Sequence, residues 1–432
     1  MMDTIFALAT PEGKSGVAIV RISGQDAFEC FKNFSCKIVK VGRSGVRKLF
    51  YNEQLLDKAF VLSFKKGSSF TGEDTVELHL HGSLAIIRNC LDALGQFENF
   101  RAACPGEFTK RAFENGRLDL AQVEGLSDLI NAETSVQLNQ AQRIFDGALG
   151  DLVGYWRSEL IAVKALIEAS IDFSEEEIPD NLSADILRGL EKIKSTIKQE
   201  IKGSFVSEQI TRGFEVAIIG APNVGKSTLL NCLSGRKASI ISKLAGTTRD
   251  VIEVHMDLGG MPITLLDTAG IRFSEDEVEK MGVDLAIDRA KKADLRLFLS
   301  DTGNFNNFGL EVKQEDLMVH SKGDISDQFK EDFLISAKTG AGINKLIKKI
   351  TEIFKTKVSN SSIAINARHR NAMVRAVYSL EIAEKELMVG LERVELCAEG
   401  LNGAIKALDS LIGVVDVEDV LDTIFNKFCI GK

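Results

Sequence analysis

No stretch of this chain approaches the roughly 18 consecutive apolar residues of a membrane-spanning helix, so no part of it is expected to cross a bilayer. The opening run Met1 to Thr10 carries an early acid and no long apolar core, which argues against a secretory leader. The seven cysteines are odd in number and follow no framework spacing. A disulfide-built extracellular fold is therefore excluded, and a reducing cytoplasmic compartment is expected. Positive charge is scarce too: the formal net charge is −9, which gives no global attraction to nucleic acid. RNA contact would need a local basic patch or a partner's surface. At 432 residues the chain has room for two or three domains.

What is present concentrates at Gly220 to Ser227, which fits the phosphate-cradling pattern G-x-x-x-x-G-K-[ST] at every fixed position. The run Glu215 to Ile219 before it reads as a short buried strand, and Ser227 to Leu233 as the first turns of a helix. Such a turn aims backbone N–H groups at phosphate, where Lys226 adds a cation and the Ser227 hydroxyl a Mg²⁺ ligand. Asn223, Val224, Gly225 and Thr228 complete the loop's candidate contacts. The pattern predicts a bound nucleoside triphosphate.

Four further blocks follow in order: Gly246 to Asp250, Asp267 to Gly270, Ser321 to Asp324, and Ser336 to Lys338. With the phosphate loop they resemble the blocks of a Ras-like GTPase, and that resemblance assigns the roles. Thr248 closes over Mg²⁺ and the γ-phosphate, Asp267 holds the metal through water, and Gly270 senses the γ-phosphate beside Thr268 and Ala269. Asp324 can accept two hydrogen bonds from guanine, a pairing that adenine does not offer. Lys322 lays its stem along the base, while Ser336, Ala337 and Lys338 present N–H groups to the guanine oxygen. GTP is the expected nucleotide.

Two positions depart from that pattern. Ser321 stands where an Asn usually ties the phosphate loop to the base-reading loop. One lost hydrogen bond, roughly 0.5–1.5 kcal/mol, predicts weaker nucleotide binding, unless the loop shifts and a neighbour such as His320 compensates. Ile271 stands where a Gln orients the attacking water, so that task falls elsewhere. The carboxylates from Ser274 to Glu279 read, on residues alone, as a solvated loop and helix start.

Around this unit, residues 1–117 are strand-rich, with strands at Gly16 to Ile22, Lys58 to Phe64 and Thr75 to His81. Helices at Leu84 to Leu94 and after Pro105-Gly106 make this an α+β domain. Glu77, His79 and His81 alternate onto one strand face, either a polar sheet face or a metal site. Residues 118–210 are helical throughout, the GTPase unit spans 211–356, and residues 357–432 return to long helices such as Asn366 to Val394. The expected architecture is therefore multidomain α/β and α+β, with a discontinuous helical domain carrying an inserted GTPase. Gly400-Leu-Asn-Gly403 matches the RNA-clamping G-x-x-G of KH domains, but no strands flank it. A turn between helices is expected.

Three separated segments then carry a family resemblance: Thr4 to Gly13 with Arg21 to Gly24; Phe70 to Asp74, His81-Gly82, Pro105 to Phe108 and Arg117 to Gln122; and the tail Phe428 to Lys432. Together they resemble the MnmE (TrmE) family of bacterial tRNA-modification GTPases, over the whole chain. The resemblance implies a homodimer whose N-terminal domain binds a tetrahydrofolate derivative (5,10-methylene or 5-formyl) through Arg21, Glu77, Arg117 and Lys432. Cys429 would sit at that pocket, either in one-carbon transfer or holding geometry. An FAD-dependent partner, MnmG, would join in a heterotetramer or larger complex, and the wobble uridine of certain tRNAs would gain an aminomethyl-type group at carbon 5. The resemblance also implies a K⁺ ion held by Asn223, Ser242, Leu244 and Thr247, with Lys243, Ala245 and Gly246 in the same nucleotide-binding loop. Glu279 would position the attacking water, and Arg272 is a further catalytic candidate. A ribosome-assembly GTPase, or a folate-binding aminomethyltransferase-like enzyme with the GTPase as accessory, are the alternatives.

Overall fold

The computed structural model describes residues 3–40, 42–172, 182–235, 252–267, 287–305, 309–325, 333–390, 393–415, 421, 424–426, 428 and 430–431. The chain divides into one unit of residues 1–127 with 409–432 and another of residues 128–408.

In the first unit a six-stranded sheet has the order β3-β4-β5-β2-β1-β6. Its strands are β1 (Thr4–Leu8), β2 (Ser15–Ser23), β3 (Ser44–Tyr51), β4 (Gln54–Phe64), β5 (Thr75–Gly82) and β6 (Phe100–Ala102). Neighbours run antiparallel except β1 and β6. The period-two alternation of β5 explains the layering. Val76, Leu78 and Leu80 go into a core with Val20 and Ile22, closed by Cys90 and Leu94 of α2 (Leu84–Leu94). Glu77, His79 and His81 take the other, more open face. The helices α1 (Glu29–Asn33), α3 (Glu107–Glu114) and α4 (Leu120–Asn131) complete the run.

The second unit joins helices to a five-stranded sheet of order β11-β10-β7-β9-β8. The strands are β7 (Phe214–Gly220), β8 (Ile252–Leu258), β9 (Met261–Asp267), β10 (Leu295–Ser300) and β11 (Leu317–His320). All of these pairings are parallel except β8 with β9. β10 is buried at every position, as a parallel strand covered on both faces must be. Helices α8 (Lys226–Ser234) and α9 (Ile343–Val358) belong to this α/β layer.

Helices α5 (Ser135–Phe145), α6 (Ala148–Asp172) and α7 (Leu182–Arg212) precede the sheet; α10 (Ala367–Val389) and α11 (Val394–Ile412) follow it. Thr134 and Gln137 close a capping box at the start of α5. α7 joins the helices on either side of the sheet. Trp156 Nε1 of α6 donates to Thr196 Oγ1 of α7 at 3.0 Å, and Lys194 of α7 pairs with Glu384 of α10 at 2.5 Å.

Two expectations are corrected. The helix expected from Asn366 to Val394 ends at Val389 and is followed by Gly390 at φ +149°, a conformation that stops a helix of L-residues. Gly400-Leu-Asn-Gly403 is not a turn: it lies inside α11. A Cβ on Gly400 would stand 3.0 Å from both Ala383 Cβ and the Ser379 carbonyl oxygen. The pair of glycines lets α11 cross α10 at close range.

Candidate functional site

Sheet register places the nucleotide residues. β7 lies between β9 and β10, with Ile218 opposite Asp267, Gly220 opposite Leu299, and Ser300 opposite His320. The carboxyl ends of β7, β9, β10 and β11 therefore line up, and the phosphate loop, Asp267 and Ser321 emerge on one edge. A doubly wound sheet binds its ligand at that edge.

The loop's backbone follows from its residues. Asn223 takes φ +63° and Gly225 φ +105°, the latter as N-cap of α8. Left-handed backbone at both positions curls the chain so that successive N–H groups face one point at a helix N-terminus, an anion cradle. Gly220 carries a different constraint: a Cβ there would lie 2.6 Å from the Leu299 carbonyl oxygen. Lys226 is buried, and its ammonium donates to the Gly220 and Ala221 carbonyls at 2.7 and 3.0 Å. A buried ammonium gathered over this loop suits a polyphosphate, whose oxygens can replace those carbonyls. Ser227 follows it in the first turn of α8, with Thr228 next.

The base-reading blocks meet beside the loop. Gly323 N–H donates to the Ile335 carbonyl, and Ile335 N–H to that of His320, which splices Ser321–Asp324 to Ser336–Lys338. Ser336 Oγ donates to Asp324 Oδ1 at 2.7 Å. That hydrogen bond, then a backbone hydrogen bond and, least, the Lys338 charge, hold the exposed Asp324 carboxyl below its ordinary range, ionised and able to accept two N–H donors. Lys322, at φ +58°, pairs with Asp301 at 2.6 Å, a partner that the sequence reading missed although it follows the end of β10 directly.

Ser321 does what the expected Asn would do. Its buried Oγ donates to the Val224 carbonyl at 2.6 Å, tying the base-reading loop to the phosphate loop. The displaced-loop alternative is not needed.

Ser242, Lys243, Leu244, Ala245, Gly246, Thr247 and Thr248 lie outside the described residues, as do Thr268, Ala269, Gly270, Arg272 and Glu279. Asp267 is described as a strand residue, not in its side chain.

In the first unit Arg21 of β2 sits opposite Glu77 of β5, and Arg21 Nε donates to Glu77 Oε1 at 2.9 Å. The Phe70 and Phe108 rings flank the guanidinium at 5.6 and 5.8 Å. These two rings were not singled out in the sequence, although both fall in its segments Phe70 to Asp74 and Pro105 to Phe108. His79 Nε2 lies 3.5 Å from Glu77, whereas His81 turns to Asp57 at 2.7 Å. The three thus do not converge, and among the described residues no group of three or more His, Cys, Asp or Glu could hold a metal. The stem of Arg117 runs over Gly72, where a Cβ would stand 3.1 Å from Arg117 Cγ. Cys429 and Lys432 lie outside the described residues, but Gly431 between them packs on the end of β1, with no room for a Cβ against the Leu8 carbonyl.

A hollow in this unit, about 400 Å³, is lined by Glu73, Arg101, Glu107 and Arg111 among others. Its charges already satisfy one another: Arg111 pairs with Glu73 at 3.2 Å and with Asp3 at 2.9 Å.

Residues 4–117 match the family model described as GTP-binding protein TrmE N-terminus, and residues 120–429 match MnmE helical domain. The chain belongs to the MnmE (TrmE) family. A relative in Cereibacter sphaeroides is 49% identical over 431 residues, and one in Roseobacter denitrificans 48% over 432, with all of both chains covered in each case. One in Parvibaculum lavamentivorans is 43% identical over 442 residues, again with full coverage. Each of these family members is named tRNA modification GTPase MnmE. Among solved structures, a Tyr-to-Ala point variant of Aquifex aeolicus Era bound to GDP and AlF₄⁻ is 27% identical over 40% of this chain and 67% of its own, at a TM-score of 0.25. Among the described residues no helix is long and apolar enough to cross a membrane.

Proposed function

We propose that this chain hydrolyses GTP in the service of modifying the wobble uridine of certain tRNAs, working as a homodimer with the FAD-dependent partner MnmG. Carbon 5 of the uridine would gain an aminomethyl or carboxymethylaminomethyl group. The observation that carries the nucleotide half is the pair of ties that hold Asp324 to Ser336 and, from the same loop as Asp324, Ser321 to the Val224 carbonyl of the phosphate loop. They set a carboxylate suited to guanine beside an anion cradle.

In this reading Lys226 and the α8 N-terminus neutralise the β- and γ-phosphates, while Ser227 and Thr248 hold Mg²⁺. Ile271 cannot orient water, so Glu279 takes that task, with Arg272 nearby in sequence. Potassium would supply positive charge at the bridging oxygens, held by Asn223, Ser242, Leu244 and Thr247. The left-handed backbone at Asn223, within the phosphate loop, is compatible with this role. Dimerisation of the nucleotide faces would exclude water.

For the one-carbon half, a tetrahydrofolate derivative would supply the carbon. Arg21 and Arg117 suit its carboxylates and Glu77 its pterin N–H edge, with Phe70 and Phe108 as apolar walls. The packing of Gly431 beside β1 favours a tail, with Cys429 and Lys432, that belongs to this site.

The test is wobble-uridine analysis by mass spectrometry in a deletion strain. Wild-type chain should restore the modified nucleoside and Lys226→Ala should not. Restoration by both would remove GTP hydrolysis from the function, and restoration by neither would remove tRNA modification. For the cation, hydrolysis should rise several-fold when K⁺ replaces Na⁺ at constant ionic strength, and Asn223→Ala should erase the difference. Equal rates in the two salts would send the search to a finger supplied in trans.

A further inference from the structure

We infer that the α7–α10 face of the helical layer is the surface on which this chain receives its RNA, an inference that rests on the tRNA reading above. α7 and α10 run antiparallel, stapled by Lys194–Glu384, Lys198–Glu381 and Glu208–Arg370. Along their rim two large aromatics stand in solvent: Phe205 of α7 is 54% exposed and Tyr378 of α10 is 64% exposed. With the exposed Val374 between them in the stripe, these rings make a contiguous apolar patch, the kind of surface that marks an interaction site. The Arg370 guanidinium already lies over the Phe205 ring, 4.4 Å from its centroid. Arg370, Val374 and Tyr378 follow one another at four-residue spacing, so they form one stripe.

Charge selects the occupant. The first half of α10, residues 367–378, contains Arg368, Arg370 and Arg375 and no acid. On α7 the exposed Lys198 and Lys202 precede Phe205 on the same face, at positions i, i+4 and i+7. Three acids stand on this face, Glu208, Glu381 and Glu384, and each is paired with a cation, Arg370, Lys198 and Lys194 in turn. The local balance is positive within a chain of net charge −9. Rings on which bases stack, interleaved with cations that meet phosphates, are what a single-stranded or loop region of RNA requires. A docked protein would be expected to deplete the lysines, and Lys198 and Lys202 line this face beside the rings.

The experiment titrates the full-length chain with a fluorescent, unmodified tRNA transcript carrying uridine at the wobble position, by anisotropy over a salt series. Lys202→Glu/Arg375→Glu should weaken binding at least about tenfold and make the log K against log salt slope shallower by about 2, one contact per reversed charge. Tyr378→Ala should weaken it roughly five-fold or more with the slope unchanged, since stacking releases no counterions. The neutral pair Lys202→Gln/Arg375→Gln guards against misfolding and should give an intermediate loss, with tRNA-free GTP hydrolysis at the wild-type rate in all three variants. Wild-type affinity and slope in the charge-reversed variant overturn the surface and leave the tRNA reading standing. No tRNA binding by the wild type at low salt overturns both. Retained tRNA binding with lost binding to MnmG would make this a protein-docking face and overturn the proposal.

Discussion

The phosphate loop and the Arg21 cluster, the two sites proposed to hold anionic ligands, are built by opposite means. The phosphate loop is eight consecutive residues with their backbone N–H groups, and Lys226 is its side-chain charge. Around Arg21 the chain uses side chains from β2, β5, the Phe70 loop and α3, brought together across more than 80 residues of sequence. The first site is built from conformation and the second from register. A conformational site survives most side-chain changes and fails when a Cβ enters the cradle. A register site survives backbone-neutral changes and fails when one charged partner is removed.

The largest effects should come from breaking the cradle. Lys226→Ala should cut GTP turnover by about 10²–10³, the scale for losing one preorganised electrostatic contact to a developing charge, in a phosphate-release assay with folding unchanged. Gly220→Ala should go further and lower the melting temperature as well, because the added methyl meets the Leu299 carbonyl rather than a side chain that could move. A Gly220→Ala protein with normal stability and turnover would mean that the loop is more yielding than its geometry implies.

Next comes Asp324, the proposed guanine reader. Asp324→Asn should weaken GTP by about 10–150-fold, the equivalent of one charge-assisted hydrogen bond of roughly 1.5–3 kcal/mol, and shift preference toward xanthosine triphosphate. An unchanged GTP/XTP ratio would break the assignment of the block.

In the register site, Arg21→Ala should abolish calorimetric binding of 5-formyl-tetrahydrofolate while the domain stays folded. Glu77 is left half-buried but can still reach His79 at 3.5 Å. Binding as tight as the wild type's would show that this arginine is a structural partner of Glu77 and nothing more. Glu77→Gln should weaken the ligand less, since the amide keeps one acceptor.

The smallest effect sharpens the comparison. Ser321→Ala removes the tether to Val224 and should weaken GDP by about 2–10-fold, one ordinary hydrogen bond. Ser321→Asn should change little, because the serine already makes the bond. A marked tightening by Asn would show that a second donor matters.

How far each region could be read follows from how it is built. β7, the loop and α8 were legible because glycines, a lysine and a hydroxyl at fixed spacing dictate their own backbone. α2 was legible to the residue, since its apolar periodicity and its flanking residues agree. The Ser321 tether was not: sequence shows a shorter side chain, and whether it reaches Val224 depends on how closely two loops approach. Nor was the place of Gly400 and Gly403, where residues that usually mark a turn sit mid-helix because α10 passes within contact distance. Local propensity lost there to packing between helices distant in sequence.

By itself, the sequence determined the geometry of the phosphate loop and the inward face of β5, because each is written in neighbouring residues through backbone conformation or side-chain period. Only the tertiary structure decided that Ser321 ties the two nucleotide loops, that Phe70 and Phe108 enclose Arg21, and that Phe205 and Tyr378 stand on one basic rim. Those are distances between segments far apart along the chain, and such distances are set by strand register and helix crossing.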